Sequence, residues 1–319
     1  MSNRRADPAE LLTAAQAGDR GAVARLISLI ERGGEPAREV GRRTFVDGRA
    51  AYTVGITGAP GSGKSTLTDR LITKVREEGQ TIGVLAIDPS SPFTGGAILG
   101  DRVRMQGHAL DEGVFIRSMA TRGHLGGLSL ATPEATRVLA ASSYPLVVIE
   151  TVGVGQVEVE IAGAADTTVV VVNPGWGDAI QANKAGLLEI ADVFAINKSD
   201  RPGAGETRRD LDGMLDMTTT MGEWRPPIVS TIASTGEGTD ELWKAITDHR
   251  SHLERTGELA ERRHRRLLDE LHEVLLRRVE RKVGELEGGE TYRQVREGVL
   301  EGALDPYTAA DELLDALGL

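Results

Sequence analysis

The spacing of apolar residues divides the chain into three parts. Within residues 1–45 apolar side chains return at helical intervals, as Val23, Ile27 and Ile30 illustrate. From residue 52 onward, short runs rich in valine and isoleucine alternate with segments of helical spacing. From about residue 239 these runs cease and long amphipathic helices follow. The pattern predicts a helical extension at 1–45, an α/β domain at 46–250 and a helical arm at 251–319.

The apolar runs of the middle part predict the strands of one sheet. They cover 52–58, 81–88, 113–119, 145–150, 166–173, 191–197 and 226–233. Helices are predicted between several of them, for example at 64–78 and 131–141. Strands that are apolar almost throughout are buried on both faces, which is typical of parallel sheets. We therefore expect an α/β fold with a mostly parallel sheet covered by helices.

The amino-acid composition excludes several classes of function. Of the 319 residues 40% are hydrophobic but only 3% are aromatic, so the core must consist of valine, isoleucine, leucine and alanine. The net charge of −11 argues against nonspecific nucleic-acid binding, and the lack of cysteine excludes disulfides, thiolate metal sites and thiol nucleophiles. No segment has the ~18 apolar residues of a membrane helix, and the first residues lack a signal-peptide pattern. We expect a soluble, cytoplasmic protein that binds neither membranes nor nucleic acid.

The segment GAPGSGKST, residues 58–66, follows the first predicted strand and opens a helix. It matches the G-x-x-x-x-G-K-[ST] pattern of the phosphate-binding P-loop in the context that the mechanism requires. Glycines let backbone N–H groups converge on phosphate oxygens, and the helix N-terminus adds partial positive charge. Lys64 is predicted to reach the outer phosphates, and the Ser65 hydroxyl is predicted to bind Mg²⁺. The predicted nucleotide-binding residues of this segment are Gly58, Ala59, Pro60, Gly61, Ser62, Gly63, Lys64, Ser65 and Thr66.

Two carboxylates stand at the ends of predicted strands. Asp88 ends the strand 81–88 and Glu150 ends the strand 145–150. Because ligands of parallel sheets bind beyond the carboxyl ends of the strands, both side chains should face the same crevice as Lys64. Glu150 is predicted to hold Mg²⁺ directly or through water, with a solvated strand-end carboxylate or a helix cap as the structural alternative. The glycine-rich segment that follows places the Gly153 N–H where it could sense a γ-phosphate.

The segment NKSD, residues 197–200, follows a late apolar strand and resembles the guanine-specificity motif of GTPases. Asp200 would accept hydrogen bonds from the guanine N1–H and 2-amino groups, Asn197 would buttress the loop and the Lys198 stem would pack on the ring. Adenine lacks this donor pair, so the aspartate would stay unpaired with the wrong base. The later segment STIASTGEG resembles the loop that offers an N–H to guanine O6, and Ala233 is the predicted donor.

Beyond these motifs, nearly the whole chain resembles the MeaB/ArgK family of GTPases, whose human relative is the methylmalonic aciduria type A protein. The segments that carry the resemblance are GAPGSGKST, AIDPSSPFTGGAILGDRVRM, FIRSMATRGHLGG, ETVGVGQVE, NPGWGDAIQANKAG, NKSD and DPYTAADELL. The resemblance implies a P-loop NTPase fold with helical N- and C-terminal extensions. It also implies a G-protein chaperone of a cobalamin-dependent acyl-CoA mutase of the methylmalonyl-CoA mutase type. Such proteins gate adenosylcobalamin loading, guard the mutase against inactivation and hydrolyse GTP slowly until the partner stimulates them.

The resemblance also implies roles for individual residues. Asp88, Asp101 and Glu150 would act around Mg²⁺ and the attacking water, so that with Lys64 they form the predicted catalytic set and with Ser65 the predicted metal ligands. Asp101 also begins a plausible short helix, and on the residues alone an N-cap role suits it equally well.

Segment 173–186 is similar to a partner-responsive switch of this family, with Asp178 and Lys184 as its charged candidates. Lys184 suits a solvated helix position equally well. The C-terminal helices resemble the arm through which the family forms homodimers, so the Leu/Val stripe at 267–283 is predicted to be core or dimer seam.

Two other functions remain as alternatives. One is a nucleotide-dependent kinase of the type suggested by the ArgK transport-ATPase name, against which the guanine motif argues. The other is a GTPase that delivers nickel to an enzyme, against which the lack of cysteine argues. Two further signals are given structural interpretations: ERRHRR at 261–266 as a solvated helix face, and His249 and His252 as surface histidines.

Overall fold

A computed structural model gives the fold of the chain. It describes residues 7–88, 106–108, 110–120, 131–151, 157–175, 186, 189–217, 223–286, 289–316 and 318. The strands are β1 (Tyr52–Thr57), β2 (Ile82–Asp88), β3 (Val114–Ala120), β4 (Leu146–Thr151), β5 (Thr167–Val172), β6 (Val193–Asn197) and β7 (Ile228–Thr231). The helices are α1 (Pro8–Gln16), α2 (Arg20–Arg32), α3 (Gly34–Thr44), α4 (Lys64–Glu77), α5 (Ala131–Ala141), α6 (Val157–Ala164), α7 (Ala204–Met217), α8 (Thr239–Thr256), α9 (Glu258–Leu286), α10 (Glu290–Leu300) and α11 (Pro306–Ala316).

The seven strands form one sheet in the order β3-β2-β4-β1-β5-β6-β7. Every adjacent pair is parallel. β1 therefore lies between β4 and β5, and the register places Ile56 of β1 opposite Glu150 of β4. All carboxyl ends meet at one edge of the sheet, where a parallel sheet binds its ligands.

Helices cover both faces of the sheet, as the continuous apolar strands require. On one face, Leu67 and Leu71 of α4 and Leu242 of α8 join an apolar cluster with β1, β2 and β4. On the other, α1, α2 and α5 form a second cluster, in which Leu26 and Leu139 are fully buried. The expected α/β fold with helical terminal segments is confirmed.

The predicted and observed strand ends differ most at β6 and β7. The predicted strand 191–197 begins only at Val193, because the Asp192 carboxylate accepts the Thr168 N–H of β5 at 2.8 Å. The predicted strand 226–233 shortens to Ile228–Thr231, because prolines at 226 and 227 lack N–H donors and the chain turns at Ile232.

The chain divides into two compact units, residues 1–263 and 264–319. In the second unit, α10 and α11 pack on each other, and Val295 and Ala309 are buried there. On the same unit's part of α9, Leu268, Leu271 and Leu275 are 67%, 64% and 57% exposed. Among the described residues, no helix is long and apolar enough to cross a bilayer.

The prediction that His249 and His252 are surface residues is wrong. Both are buried, since the face of α8 that carries them also carries Leu253 and packs toward the sheet. The Thr167 hydroxyl lies 2.8 Å from His249 Nδ1, and the Trp224 ring centroid lies 4.8 Å from that of the imidazole. Burial, with the Arg262 charge as a second cause, lowers the pKa of His249 to about 3.

The solvated-face prediction for ERRHRR is wrong for two of its arginines. Arg263 binds Asp166 with 2.7 Å between Nη2 and Oδ2, and Arg262 binds Asp192 with 3.0 Å between Nη1 and Oδ1. Both aspartates are buried just before β5 and β6, where each accepts a backbone N–H of a neighbouring strand. A buried carboxylate is costly unless it is paired with a cation. Arg262 and Arg263, at the start of α9, supply these cations and are therefore not simply solvated.

Candidate nucleotide-binding site

The P-loop connects the end of β1 to the start of α4, and its backbone depends on glycine. Gly58, Gly61 and Gly63 have φ values of 136°, 74° and 94°. A Cβ at Gly58 would lie 2.1 Å from Val171 O, and one at Gly63 would lie 2.2 Å from Asn197 Nδ2. Gly58 is therefore required by the close approach of the β5 backbone, and a side chain at Gly63 would displace the amide of Asn197 at the end of β6; both positions also have a backbone conformation that favours glycine.

Lys64 is buried at the first turn of α4, at the mouth of this loop. Its ammonium donates to Gly58 O at 2.7 Å and to Ala59 O at 3.0 Å. The loop carbonyls thus hold the cation at the place where a helix N-terminus also favours an anion. A phosphate that entered this loop would meet a positive charge already in position.

Ser65, in the first turn of α4, comes together with Glu150 near the end of β4, which is the neighbour of β1 in the sheet. Glu150 is only 1% exposed, and its Oε1 accepts the Ser65 hydroxyl at 2.5 Å. A second pair of buried hydroxyls, Thr57 and Thr151, lies at the same strand ends with 3.1 Å between the oxygens. A carboxylate and hydroxyl oxygens are the donor set that Mg²⁺ prefers, so these residues fit that ion. Among the described residues, no group of three or more His, Cys, Asp or Glu side chains could hold a metal.

The loop after β6 lies across the P-loop. Asn197 Nδ2 donates to Ser62 O at 2.7 Å, and Lys198 Nζ donates to Gly61 O at 2.6 Å. Lys198 has a φ of 58°, which turns the chain sharply after the strand. Asp200 is exposed, so its carboxylate is accessible to a ligand. This arrangement brings the two motifs that the sequence predicted to act on one nucleotide into direct contact.

Ala233 follows β7, next to the same loop. Its N–H, the predicted donor to guanine O6, donates to Asn197 Oδ1 at 3.0 Å. Ser199 reaches the same strand end, because its N–H and its hydroxyl each lie 3.1 Å from Thr231 O. With the bond from the Thr231 hydroxyl to Asn197 Oδ1 at 3.4 Å, four hydrogen bonds join the end of β6 and its following residues to the end of β7 and its loop.

Two residues of this region were missed by the sequence reasoning. Asn173, directly after β5, places its Nδ2 3.4 Å from Gly61 O, the carbonyl that Lys198 also contacts. Its position at the end of a buried strand was a signal that could have identified it. Arg70 of α4 donates to the carbonyls of Ala233 and Ser234. Nothing in the local sequence distinguishes Arg70 from any other helical arginine.

The other predicted site residues are not tested by these contacts. The backbone of Asp88 ends β2 at the same edge of the sheet, but its side chain lies outside the described part of the structure. Asp101, Gly153, Asp178 and Lys184 also lie outside the described residues.

Comparison with known proteins places this site in a family. The family model for "Methylmalonyl Co-A mutase-associated GTPase MeaB" matches residues 23–287. A Pyrococcus abyssi protein named as a GTPase is 50% identical over 309 residues, which cover 96% of this chain and 95% of that protein. The mitochondrial methylmalonic aciduria type A homolog of Mus musculus is 36% identical over 277 residues, covering 83% of this chain and 65% of its own length.

One solved structure is similar along the whole length. The crystal structure of a LAO/AO transport system kinase matches with a TM-score of 0.72 and 26% identity, covering 100% of both chains. The family match, the relatives and the geometry of the P-loop agree. The chain therefore belongs to the MeaB family of methylmalonyl-CoA mutase-associated GTPases.

Proposed function

We propose that this chain is a Mg²⁺-dependent GTPase that serves a cobalamin-dependent acyl-CoA mutase of the methylmalonyl-CoA mutase type. In this role it gates the loading of adenosylcobalamin and protects the mutase against inactivation. The observation that carries the proposal is the contact between the P-loop and the NKSD loop, made by Asn197 and Lys198. The descriptions of the family model and of the mouse relative, which name the mutase and the aciduria, support the choice of partner.

The phosphates of GTP bind in the loop Gly58–Thr66, whose backbone N–H groups converge on them. Lys64 exchanges the carbonyl oxygens of Gly58 and Ala59 for phosphate oxygens, which carry more negative charge. Ser65 and Glu150 hold Mg²⁺, which when bound neutralises phosphate charge during transfer.

Residues outside these contacts complete the proposed site. Asp88 and Asp101 assist at the metal and orient the attacking water, and the Gly153 N–H meets the γ-phosphate. Asp200 accepts from the N1–H and 2-amino groups of the base. Asp178 and Lys184 respond to the mutase, which binds the GTP form, and hydrolysis reopens the cofactor gate.

The chain is further proposed to act as a homodimer through segment 251–319. The exposed leucines Leu268, Leu271 and Leu275 recur at helical spacing on α9 and would be covered by a second copy. Light scattering on the wild type and on Leu271→Glu tests this. A dimer that the substitution converts to a monomer is expected, and a wild-type monomer at all concentrations would exclude it.

The test of the activity is phosphate release from GTP and from ATP, each with and without the mutase. Lys64→Ala is the negative control, because it removes the cation of the phosphate site. Hydrolysis that prefers GTP and rises with the mutase is expected. Equal use of ATP and GTP would remove the guanine assignment.

A kinase is the second candidate, because a solved structure that matches along the whole chain is that of a LAO/AO transport system kinase. The two functions differ in the fate of the γ-phosphoryl group, which is transferred to water in one case and to another acceptor in the other. Incubation with γ-labelled GTP or ATP, followed by separation of all labelled products, distinguishes them. Label on any acceptor other than water would favour the kinase.

A further inference from the structure

Arg70 ties the P-loop helix to the loop that follows β7. Its Nε donates to Ala233 O at 3.0 Å and its Nη2 donates to Ser234 O at 3.1 Å. A Cβ at Gly236 would lie 3.8 Å from Arg70 Cδ, so the stem of the arginine also passes close to this loop. A guanidinium presents its donors in a rigid plane, and two bonds to consecutive carbonyls therefore fix direction as well as distance.

The internal shape of this loop does not require Arg70. The Ile232 N–H donates to Glu237 O at 2.9 Å. The N–H groups of Thr235 and Gly236 both donate to Ile232 O, at 3.0 and 2.9 Å. The loop is thus closed on itself, and what the arginine determines is the position of the loop relative to α4.

The two sides of the loop are held by different groups. Asn197 Oδ1 accepts the Ala233 N–H from one side, while Arg70 donates to the Ala233 and Ser234 carbonyls from the side of α4. In a planar trans peptide the C=O and the following N–H point in opposite directions. Holding these carbonyls toward α4 therefore directs the Ser234 N–H away from it, while the Thr235 N–H is bonded to Ile232 O within the loop.

We propose that Arg70 is a positioning residue for base selection. It holds the loop 232–236 against α4 so that the Ser234 N–H meets the oxygen at position 6 of guanine. Adenine has an amino group at that position, so a fixed donor there discriminates against it. The inference rests on the proposed role of this loop in guanine binding. The inference divides one edge of the base between two residues, since Asp200 would read positions 1 and 2 and Arg70 would act only through position 6.

The test compares the affinities of GDP, IDP and ADP by calorimetry, because IDP lacks only the 2-amino group of guanine. Arg70→Ala is expected to weaken GDP and IDP by the same factor, roughly threefold to thirtyfold, and to leave ADP unchanged. Arg70→Lys should recover part of the loss, since one ammonium cannot reproduce the fork. Asp200→Ala should weaken GDP more than IDP.

Lys74→Ala is the matched control on the same helix. Lys74 lies one turn after Arg70 and pairs with Asp240 at 2.7 Å, so its removal deletes a positive charge of α4 without touching the loop. Because Leu67, Leu71 and Leu242 still pack in one apolar cluster, both variants should fold, which thermal melts would verify.

A failure of the inference about Arg70 and a failure of the proposed guanine site give different sets of affinities. If the wild type prefers GDP over ADP and Arg70→Ala keeps all three affinities, the inference is wrong and the guanine site stands. If Arg70→Ala weakens GDP, IDP and ADP equally, the arginine supports only the P-loop, which also overturns the inference. If the wild type binds ADP as tightly as GDP, the proposed guanine site itself fails.

Discussion

Ser65 and Glu150 are 85 residues apart in the chain, yet the hydroxyl of one donates to the carboxylate of the other at 2.5 Å. The contact exists because the P-loop leads from the end of β1 to the start of α4, and β4 is the neighbour of β1 and ends at the same edge of the sheet. It explains why the next-to-last residue of a core strand is a carboxylate that is almost completely buried. A buried acid is costly unless it is paired, and here it has a hydroxyl partner and a predicted cation.

Glu150→Gln should separate the metal role of this carboxylate from its structural role. The amide oxygen can still accept the Ser65 hydroxyl, but the negative charge that favours Mg²⁺ is lost. We expect the Mg²⁺ concentration that gives half-maximal GTP hydrolysis to rise roughly 10- to 100-fold, with little change in thermal stability. Glu206→Gln on the exposed side of α7 is the control. An unchanged Mg²⁺ dependence would exclude Glu150 from the metal site.

Gly63→Ala and Gly61→Ala should differ, although both glycines have positive φ. A Cβ at Gly63 would lie 2.2 Å from Asn197 Nδ2, whereas one at Gly61 meets nothing within 4 Å. Backbone strain of about 1–2 kcal/mol is common to both variants, but only Gly63→Ala displaces Asn197 from the P-loop. GDP titrations should show a much larger loss of affinity for Gly63→Ala. Equal losses would mean that the Asn197 contact is unimportant.

The buried His249 predicts a loss of stability in acid. Its folded pKa is about 3 while an exposed histidine titrates near 6.5. Between these values the unfolded chain binds a proton that the folded chain does not, so the free energy of unfolding falls as pH is lowered, by up to about 1.4 kcal/mol per pH unit from this group.

Asp192 acts in the opposite direction, because burial raises the pKa of its carboxyl group. The contribution of His249 must therefore be measured by comparing the wild type with a variant that retains Asp192. In His249→Asn the amide oxygen can still accept a hydrogen bond from the Thr167 hydroxyl, but the side chain cannot be protonated between pH 5 and pH 7.5. Urea unfolding at several pH values should show the advantage of the wild type over the variant shrinking from pH 7.5 to pH 5. A constant difference would contradict the prediction.

The ion pair of Arg263 and Asp166 should contribute far more to stability than a pair on the same helix whose carboxylate is not buried. Asp166 is completely buried, and Arg263→Met would leave its charge without the bidentate partner, at a cost of roughly 3–5 kcal/mol. Arg277 pairs with Glu273 one turn away, at 2.8 Å, and the Glu273 side chain is 46% exposed. Arg277→Met should cost less than about 1 kcal/mol. Chemical denaturation of both variants measures the difference, and similar losses would refute this account of the pair.

The sheet and the P-loop were predictable because their signals are local. Valine and isoleucine runs indicate buried parallel strands, and Gly58 to Ser65 form a contiguous motif whose chemistry depends on spacing. The prediction that Glu150 faces the P-loop needed only the rule that parallel strands end at one edge.

What could not be predicted depends on contacts between distant segments. Arg70 and Ser234 are 164 residues apart, and no pattern in either segment indicates that they meet. His249 was misjudged because a histidine on a polar helix is usually exposed, and only the position of Thr167 and Asp192 reveals a buried polar cluster. Arg263 was misjudged for the same reason, since its partner precedes a strand that lies far away in the chain.

The measurement that tests the central claim most directly is GTP hydrolysis with and without a cobalamin-dependent acyl-CoA mutase from the same organism. We expect slow hydrolysis by the chain alone, strong stimulation by the mutase, preference for GTP over ATP, and loss of activity in Lys64→Ala. The absence of stimulation by any such mutase, with nucleotide binding intact, would contradict the proposed partnership and leave a guanine-nucleotide switch with a different partner.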